Sequence, residues 1–132
     1  MTGSSIVLPS GGLEGLEHQL LICALEVQKN LGQTVPENAC RDCFAFELEK
    51  RNIPFTARVE LLNHSGSEPL PSGYRVDFVV AGQVIVEVRC RPSLPHNLTD
   101  QYRSYLRLSG LSAAVIINLQ AAPPQLLTRI TR

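Results

Sequence analysis

Two carboxylates and a guanidinium stand inside YRVDFVVAGQVIVEVRC, residues 74–90, the most strand-like stretch of the chain: Asp77, Glu87 and Arg89. An ionised carboxylate buried without a partner costs several kcal/mol, so each acid needs something to face. One answer is a cross-strand network in which Arg75 and Arg89 neutralise Asp77 and Glu87. The other is a divalent cation, because two acids on adjacent strands supply hard oxygen ligands of the kind that hold Mg2+ beside a phosphate.

Strand alternation puts Arg75, Asp77 and Val79 on one face of the first run, and Ile85, Glu87 and Arg89 on one face of the second. The two acids converge only if the hairpin pairs 77 with 87, which leaves 81–83 as an odd loop. A two-residue turn at Ala81 and Gly82 would pair 77 with 86 and send the acids to opposite faces. The metal reading therefore requires the odd loop.

Positioning these residues falls to a short series of elements. LEHQLLICALEVQKNLG (16–32) has apolar residues at 16, 20, 21, 24, 25 and 27, a helical period that ends at Gly32. TVPENACRDCFAFELEKRN (34–52) reads as a second helix, with Thr34 as N-cap, Pro36 in the first turn and 39, 40, 43, 44 and 47 or 48 on one face. IPFTARVELLN (53–63) is a strand and HSGSEPLPSG (64–73) an exposed turn. After the two strands of the opening stretch come a helix from near Leu98 to Gly110, a buried strand in LSAAVIINLQ (111–120), and a tail in which PPQLLTRITR suggests one helical turn. The order α-α-β-β-β-α-β predicts an α/β fold, a mixed sheet of about four strands flanked by helices. One domain over 1–132 is expected, with 1–12 flexible and 120–132 a tail.

Taken in order, ALEVQKNLG, FAFELEKRNI, YRVDFVV, VIVEVR and DQYRSYLRLSGL followed by VIIN resemble the PD-(D/E)XK nuclease superfamily, and within it the GxxExxY proteins. The resemblance runs from about Leu13 to the last strand. It implies a restriction-endonuclease-like core and Mg2+- or Mn2+-dependent hydrolysis of phosphodiester bonds in DNA or RNA. It assigns Asp77, Glu87 and Glu37 to the metal. Gln101 and Tyr105, a QxxxY on the helix after the hairpin, match residues that orient the site or touch the nucleic-acid backbone.

Plainer readings stand beside these. TVPE is itself a capping box, with Glu37 reaching back to Thr34. Gln101 and Tyr105 lie four apart on one helical face and suit helix-to-sheet packing. The sequence also departs from the family pattern. Thr34 and Cys40 stand where the naming motif has Gly and Tyr, Val76 where the superfamily's name has Pro, and Arg89 where the active-site lysine belongs. Arginine keeps its proton above about pH 12 and cannot act as a base. The resemblance therefore implies either a weak nuclease with Arg89 as electrostatic stabiliser, or an inactive nuclease-fold module for nucleic-acid binding or assembly. In the second case Arg89 is tied in an ion pair to Asp77 or Glu87. Nucleases of this fold often form homodimers, through a helix face or an edge strand.

Composition sets the outer limits. With 44% hydrophobic and 18% charged residues over 132, the chain is long enough for a core and not biased towards disorder. No apolar run approaches the roughly 18 residues of a membrane span, and no basic segment precedes an apolar one at the start, so the expected location is the cytoplasm. Net charge is zero, yet residues 1–74 carry five cations against nine anions and 75–132 carry seven against three. All seven of those cations are arginines, which suit phosphate or merely a solvated surface. Cys40 and Cys43 form a lone CxxC inside a helical pattern, without the second pair that structural zinc needs. Buried thiols are the better reading than a redox site.

Overall fold

The structure is a computed structural model that describes residues 12–32, 35–70 and 74–132. Helix α1 spans Gly12–Leu31 and buries Leu16, Leu20, Cys23, Ala24 and Val27, the three- and four-residue spacing of one helical face. Helix α2 spans Glu37–Lys50 and buries Cys40, Phe44, Glu47 and Leu48. Pro36 holds its N-cap position in an extended conformation and makes no side-chain cap bond, so Glu37 opens the helix as its first residue. The expected cap at Thr34 lies outside the described residues, as do residues 1–11. Gly12, expected to be flexible, is the first residue of α1.

Five strands form one sheet: β1 (Phe55–Glu60), β2 (Arg75–Val80), β3 (Val84–Arg89), β4 (Ala113–Asn118) and β5 (Leu127–Thr131), in spatial order β1-β2-β3-β4-β5. The first three make an antiparallel meander. Helix α3 (Leu98–Ser109) then carries the chain across the sheet so that β4 runs parallel to β3, and β5 returns antiparallel. This is the mixed α/β architecture read from the sequence, with one correction. The segment read as a tail with a helical turn is the fifth strand. Its Leu126, Leu127 and Ile130 spacing mimics a helix, but Ile130 packs on the sheet's α3 side and Arg129 pairs with Glu17 of α1 at 3.4 Å.

The sheet separates two apolar layers. Helices α1 and α2 cover one face over Phe78, Val80, Val84, Val86, Val88, Val115 and Ile117. Helix α3 covers the other with Tyr102 and Leu106 against Val76, Ile85, Ala114 and Ile116. The left-handed Gly110 (φ 78°) ends α3, its N–H bonded to Leu106 C=O at 2.9 Å. A side chain there would also meet the His64 ring at 2.8 Å, so the position demands glycine twice over. Among the described residues no helix is long and apolar enough to cross a membrane.

The β2–β3 hairpin pairs Val80 with Val84, Val79 with Ile85 and Phe78 with Val86. The connecting loop is 81–83, with Ala81 and Gly82 both at positive φ and Gln83 N–H bonded to Val80 C=O. It is the odd loop that brings residues 77 and 87 to the same rung. There the ladder stops. Arg75 and Val76 remain paired with β1, and Glu87 to Arg89 with β4, so the two strands fork beyond Phe78 and Val86.

Candidate functional site

The fork leaves backbone groups that no strand partner meets, and the two acids meet them. Glu87 Oε1 accepts the Asp77 N–H at 2.6 Å, and Asp77 Oδ2 accepts the Val88 N–H at 2.8 Å. Each carboxylate thus replaces a missing ladder bond on the opposite strand, which explains charge in the middle of apolar strands. Arg89 closes the arrangement: Nη1 lies 3.0 Å from Asp77 Oδ2 and Nη2 lies 3.4 Å from Glu87 Oε2. Asp77 and Arg89 reach the surface, with side chains 17% and 18% exposed, whereas Glu87 is at 1%. Arg75, expected in the cross-strand network, turns away and donates to Arg58 C=O.

Two residues that the sequence did not single out cap Glu87 from behind. Tyr74 donates to Glu87 Oε2 at 2.7 Å, and the buried Tyr102 makes a short bond to the same oxygen. Burial, and secondarily the Asp77 charge, push the Glu87 carboxyl above its ordinary pKa, against the opposing pull of Tyr102, the Asp77 N–H and Arg89. Burial also raises Tyr102, reinforced by the Glu87 charge, and moves Tyr74 to about 12. For Arg89, burial alone would lower the pKa, but the Glu87 and Asp77 charges outweigh it and hold the pKa above its ordinary value, so its charge is permanent. The periodicity of α3 held the one available signal, since Tyr102 and Leu106 share its inward face.

Gln101 and Tyr105 come near without touching the acids. Gln101 is exposed and donates to the Tyr105 hydroxyl at 3.1 Å. Tyr105 stacks on Tyr74 with ring centres 4.6 Å apart and meets Tyr102 edge-on at 5.4 Å. Their connection to Glu87 runs through Tyr74 and Tyr102, so their place is behind the acids.

Glu37 reaches the same cleft from the start of α2. Its Oε2 accepts the Cys90 N–H at 2.9 Å and Arg91 Nε at 3.0 Å, and Oε1 accepts Arg91 Nη2 at 3.3 Å. Burial would raise this carboxyl, but the Cys90 N–H and the Arg91 guanidinium outweigh it and hold the pKa below its ordinary value. One turn along α2, Arg41 stands between the acids, 4.0 Å from Glu37 Oε1 and 3.7 Å from Asp77 Oδ1. Glu37, Arg41, Arg58, Arg75, Val76, Asp77, Arg89 and Arg91 line an open cleft of about 410 Å3. Five guanidiniums and two carboxylates share that lining. Arg41, Arg58 and Arg91 lie far apart in sequence, and only the fold gathers them.

Arg58 is placed by an irregular rung. Val76 packs on the α3 side and Phe78 on the α1–α2 side, although residues two apart in a regular strand share a face. On β1, Phe55 packs with Phe78 while Val59 belongs to the α3 side, the same switch. Between them, opposite Asp77, Arg58 adopts φ 55°. A left-handed arginine inside a strand stores strain, and such strain gathers at functional sites.

Whether a divalent ion suits these oxygens can be judged from their partners. Both Glu87 oxygens, Asp77 Oδ2 and both Glu37 oxygens already accept hydrogen bonds, four of them from guanidiniums. Asp77 Oδ1 alone accepts none, and Arg41 is beside it. Among the described residues no group of three or more His, Cys, Asp and Glu side chains comes together to hold a metal. As arranged, the donor set does not fit the ion. Cys40 and Cys43 lie within α2 as free thiols, and Cys40 is buried, its pKa pushed to about 11 chiefly by burial. An inert structural thiol has that character.

A mixed sheet with a meander, a helical crossover and acids at the fork of its central hairpin defines a nuclease-like α/β scaffold. The chain belongs to the PD-(D/E)XK nuclease superfamily, whose model matches residues 14–130, from α1 to β5. Comparison with curated proteins and with solved structures gives no match.

Proposed function

We propose that this chain is a nucleic-acid-binding member of the superfamily whose cleft grips backbone phosphates through arginine and does not hydrolyse them. The observation that carries the reading is the division of labour among the guanidiniums. Arg89 is spent on Asp77 and Glu87, while the guanidinium of Arg58 has no hydrogen-bond or ion-pair partner among the described residues, and that of Arg75 meets only a backbone carbonyl. Guanidiniums in an open cleft present forked donors to phosphate oxygens. Loss of hydrolysis follows from Arg89, which cannot exchange a proton near neutral pH.

The second reading is a Mg2+- or Mn2+-dependent nuclease. It is favoured by the convergence of Asp77 and Glu87 on one rung and by Glu37 in the cleft beside Asp77, the three acids that the resemblance assigns to a metal. In that case Asp77, Glu87 and Glu37 would hold the ion, which would polarise a phosphate and activate water, and Arg89 would stabilise the developing charge. Gln101 and Tyr105 would brace the site through Tyr74. Placement among the GxxExxY proteins, with Glu37 as the naming glutamate, and the homodimer expected of such nucleases belong to the proposal as well.

Fluorescence anisotropy with labelled single- and double-stranded DNA and RNA, in EDTA, tests the first reading. Binding should persist without metal, weaken steeply between about 50 and 200 mM salt, and fall in Arg58→Ala/Arg75→Ala. Absence of binding to all four ligands would overturn it. Cleavage by the wild type in Mn2+ that disappears in Asp77→Ala would establish the second reading instead.

A further inference from the structure

Asp77 and Glu87 point into one gap where β2 and β3 part, and among the described residues the only charge that spans both is the Arg89 guanidinium, 3.0 Å from one and 3.4 Å from the other. Glu87 is almost completely buried, so its charge cannot be met by bulk water. Its neighbours Tyr74 and Tyr102 are neutral donors, and the Asp77 N–H carries no full charge. Arg41 touches the outer oxygen of Asp77 at 3.7 Å and makes no bond to Glu87. Neutralising the pair therefore rests on one side chain, which also donates to the Val88 carbonyl at 3.0 Å and is fixed in place by it.

We infer that the Arg89 guanidinium is a built-in substitute for a divalent cation, filling the position between Asp77 and Glu87, and that removing it uncovers a latent cation site. The chemistry is direct. Without Arg89 the two carboxylates face each other across the fork with the tyrosine and backbone donors still in place. Such a pair must take up either a proton or a cation. A small divalent ion bound there would keep open positions for water, as hard oxygen sites do. The wild-type site, by contrast, is complete without metal.

Calorimetric titration with MnCl2, in the absence of nucleic acid, tests this on the full chain. Wild type should show no saturable binding at low-millimolar Mn2+, whereas Arg89→Ala should gain affinity by about tenfold or more, the scale on which neighbouring groups tune metal sites. The gain should vanish in Arg89→Ala/Asp77→Asn. Arg89→Gln, similar in length and still able to donate hydrogen bonds, serves as a second variant should Arg89→Ala fold poorly, and Mn2+ should raise its melting temperature but not that of the wild type. Saturable Mn2+ binding by wild type that Arg89→Gln leaves unchanged or weakens would overturn the inference, as would no gain in a folded variant. Because no nucleic acid is present, this outcome is independent of whether the cleft binds phosphates.

Discussion

Asp77 and Glu87 each complete the other strand's backbone: Glu87 accepts the Asp77 N–H, and Asp77 accepts the N–H of Val88, the residue after Glu87. The pair is therefore structural before it is anything else. Glu87→Ala would leave that N–H and part of the Arg89 charge without a partner, and the Tyr74 and Tyr102 hydroxyls with only each other. The expected loss is about 3–5 kcal/mol, the scale for breaking a buried charged network. Glu87→Gln, which keeps the shape and some of the bonds, should cost less. Urea denaturation of the two variants beside wild type measures both, and equal small losses would mean that the fork closes without its acids.

The two perturbed carboxylates act oppositely on pH dependence. Glu37 has a folded pKa below its ordinary 4.5, so its stabilisation is present above that value and is lost as pH falls through the lowered pKa. Glu87 has a folded pKa above 4.5, so its contribution is present below that value and is lost as pH rises through the raised pKa. Urea midpoints followed from about pH 3 to 7 should show a shallower acid-side loss in Glu37→Gln. In Glu87→Gln, stability should no longer decline on the rising side of 4.5. Identical profiles for both variants would contradict these opposite shifts.

Arg58 sets function against stability. At φ 55°, glycine has no steric penalty where arginine does, so Arg58→Gly should stabilise the fold by about 1 kcal/mol despite the flexibility it adds to the unfolded chain. If the cleft holds phosphates, the same change should weaken nucleic-acid binding and lower the salt slope by about one unit. Thermal melts and anisotropy across a salt series read the two effects on one variant. Weaker binding without a gain in stability would mean that the left-handed conformation stores no strain.

Much of this arrangement could be read from the chain. Period-2 alternation and the short Ala81–Gln83 connection placed the acids on facing strands, and the helix spacings found α1, α2 and α3 within a few residues. The requirement for an odd loop was a statement about register, and the pairing of Val79 with Ile85 meets it. What escaped was whatever long-range packing decides. Alternation assumes a regular strand, so it could not show the face switch at Asp77 that turns Arg75 away from the acids. Tyr74 and Tyr102 looked like ordinary strand-end and helix residues until the fork placed both beside Glu87. Arg41, Arg58 and Arg91 carry no local mark of a shared cleft.

The last strand was hidden for a similar reason, and it carries a prediction. Leu126, Leu127 and Ile130 repeat at a helix-like interval, while as a strand β5 buries little beyond Ile130 and leaves Thr128 and Arg129 exposed. Its structure comes from β4, whose side chains are all buried and whose outer edge pairs with β5 from Ala113↔Thr131 to Ile117↔Leu127. Removing residues 127–132 would expose that edge, an apolar strand with unpaired N–H and C=O groups, and such edges template association. The truncated chain should unfold more readily and aggregate, whereas Ile130→Ala, which keeps the backbone pairing, should lose about 2–5 kcal/mol and stay monodisperse relative to wild type. Light scattering and denaturation separate the two effects. A truncation as stable and as well dispersed as the wild type would show that β4 does not depend on β5 for cover.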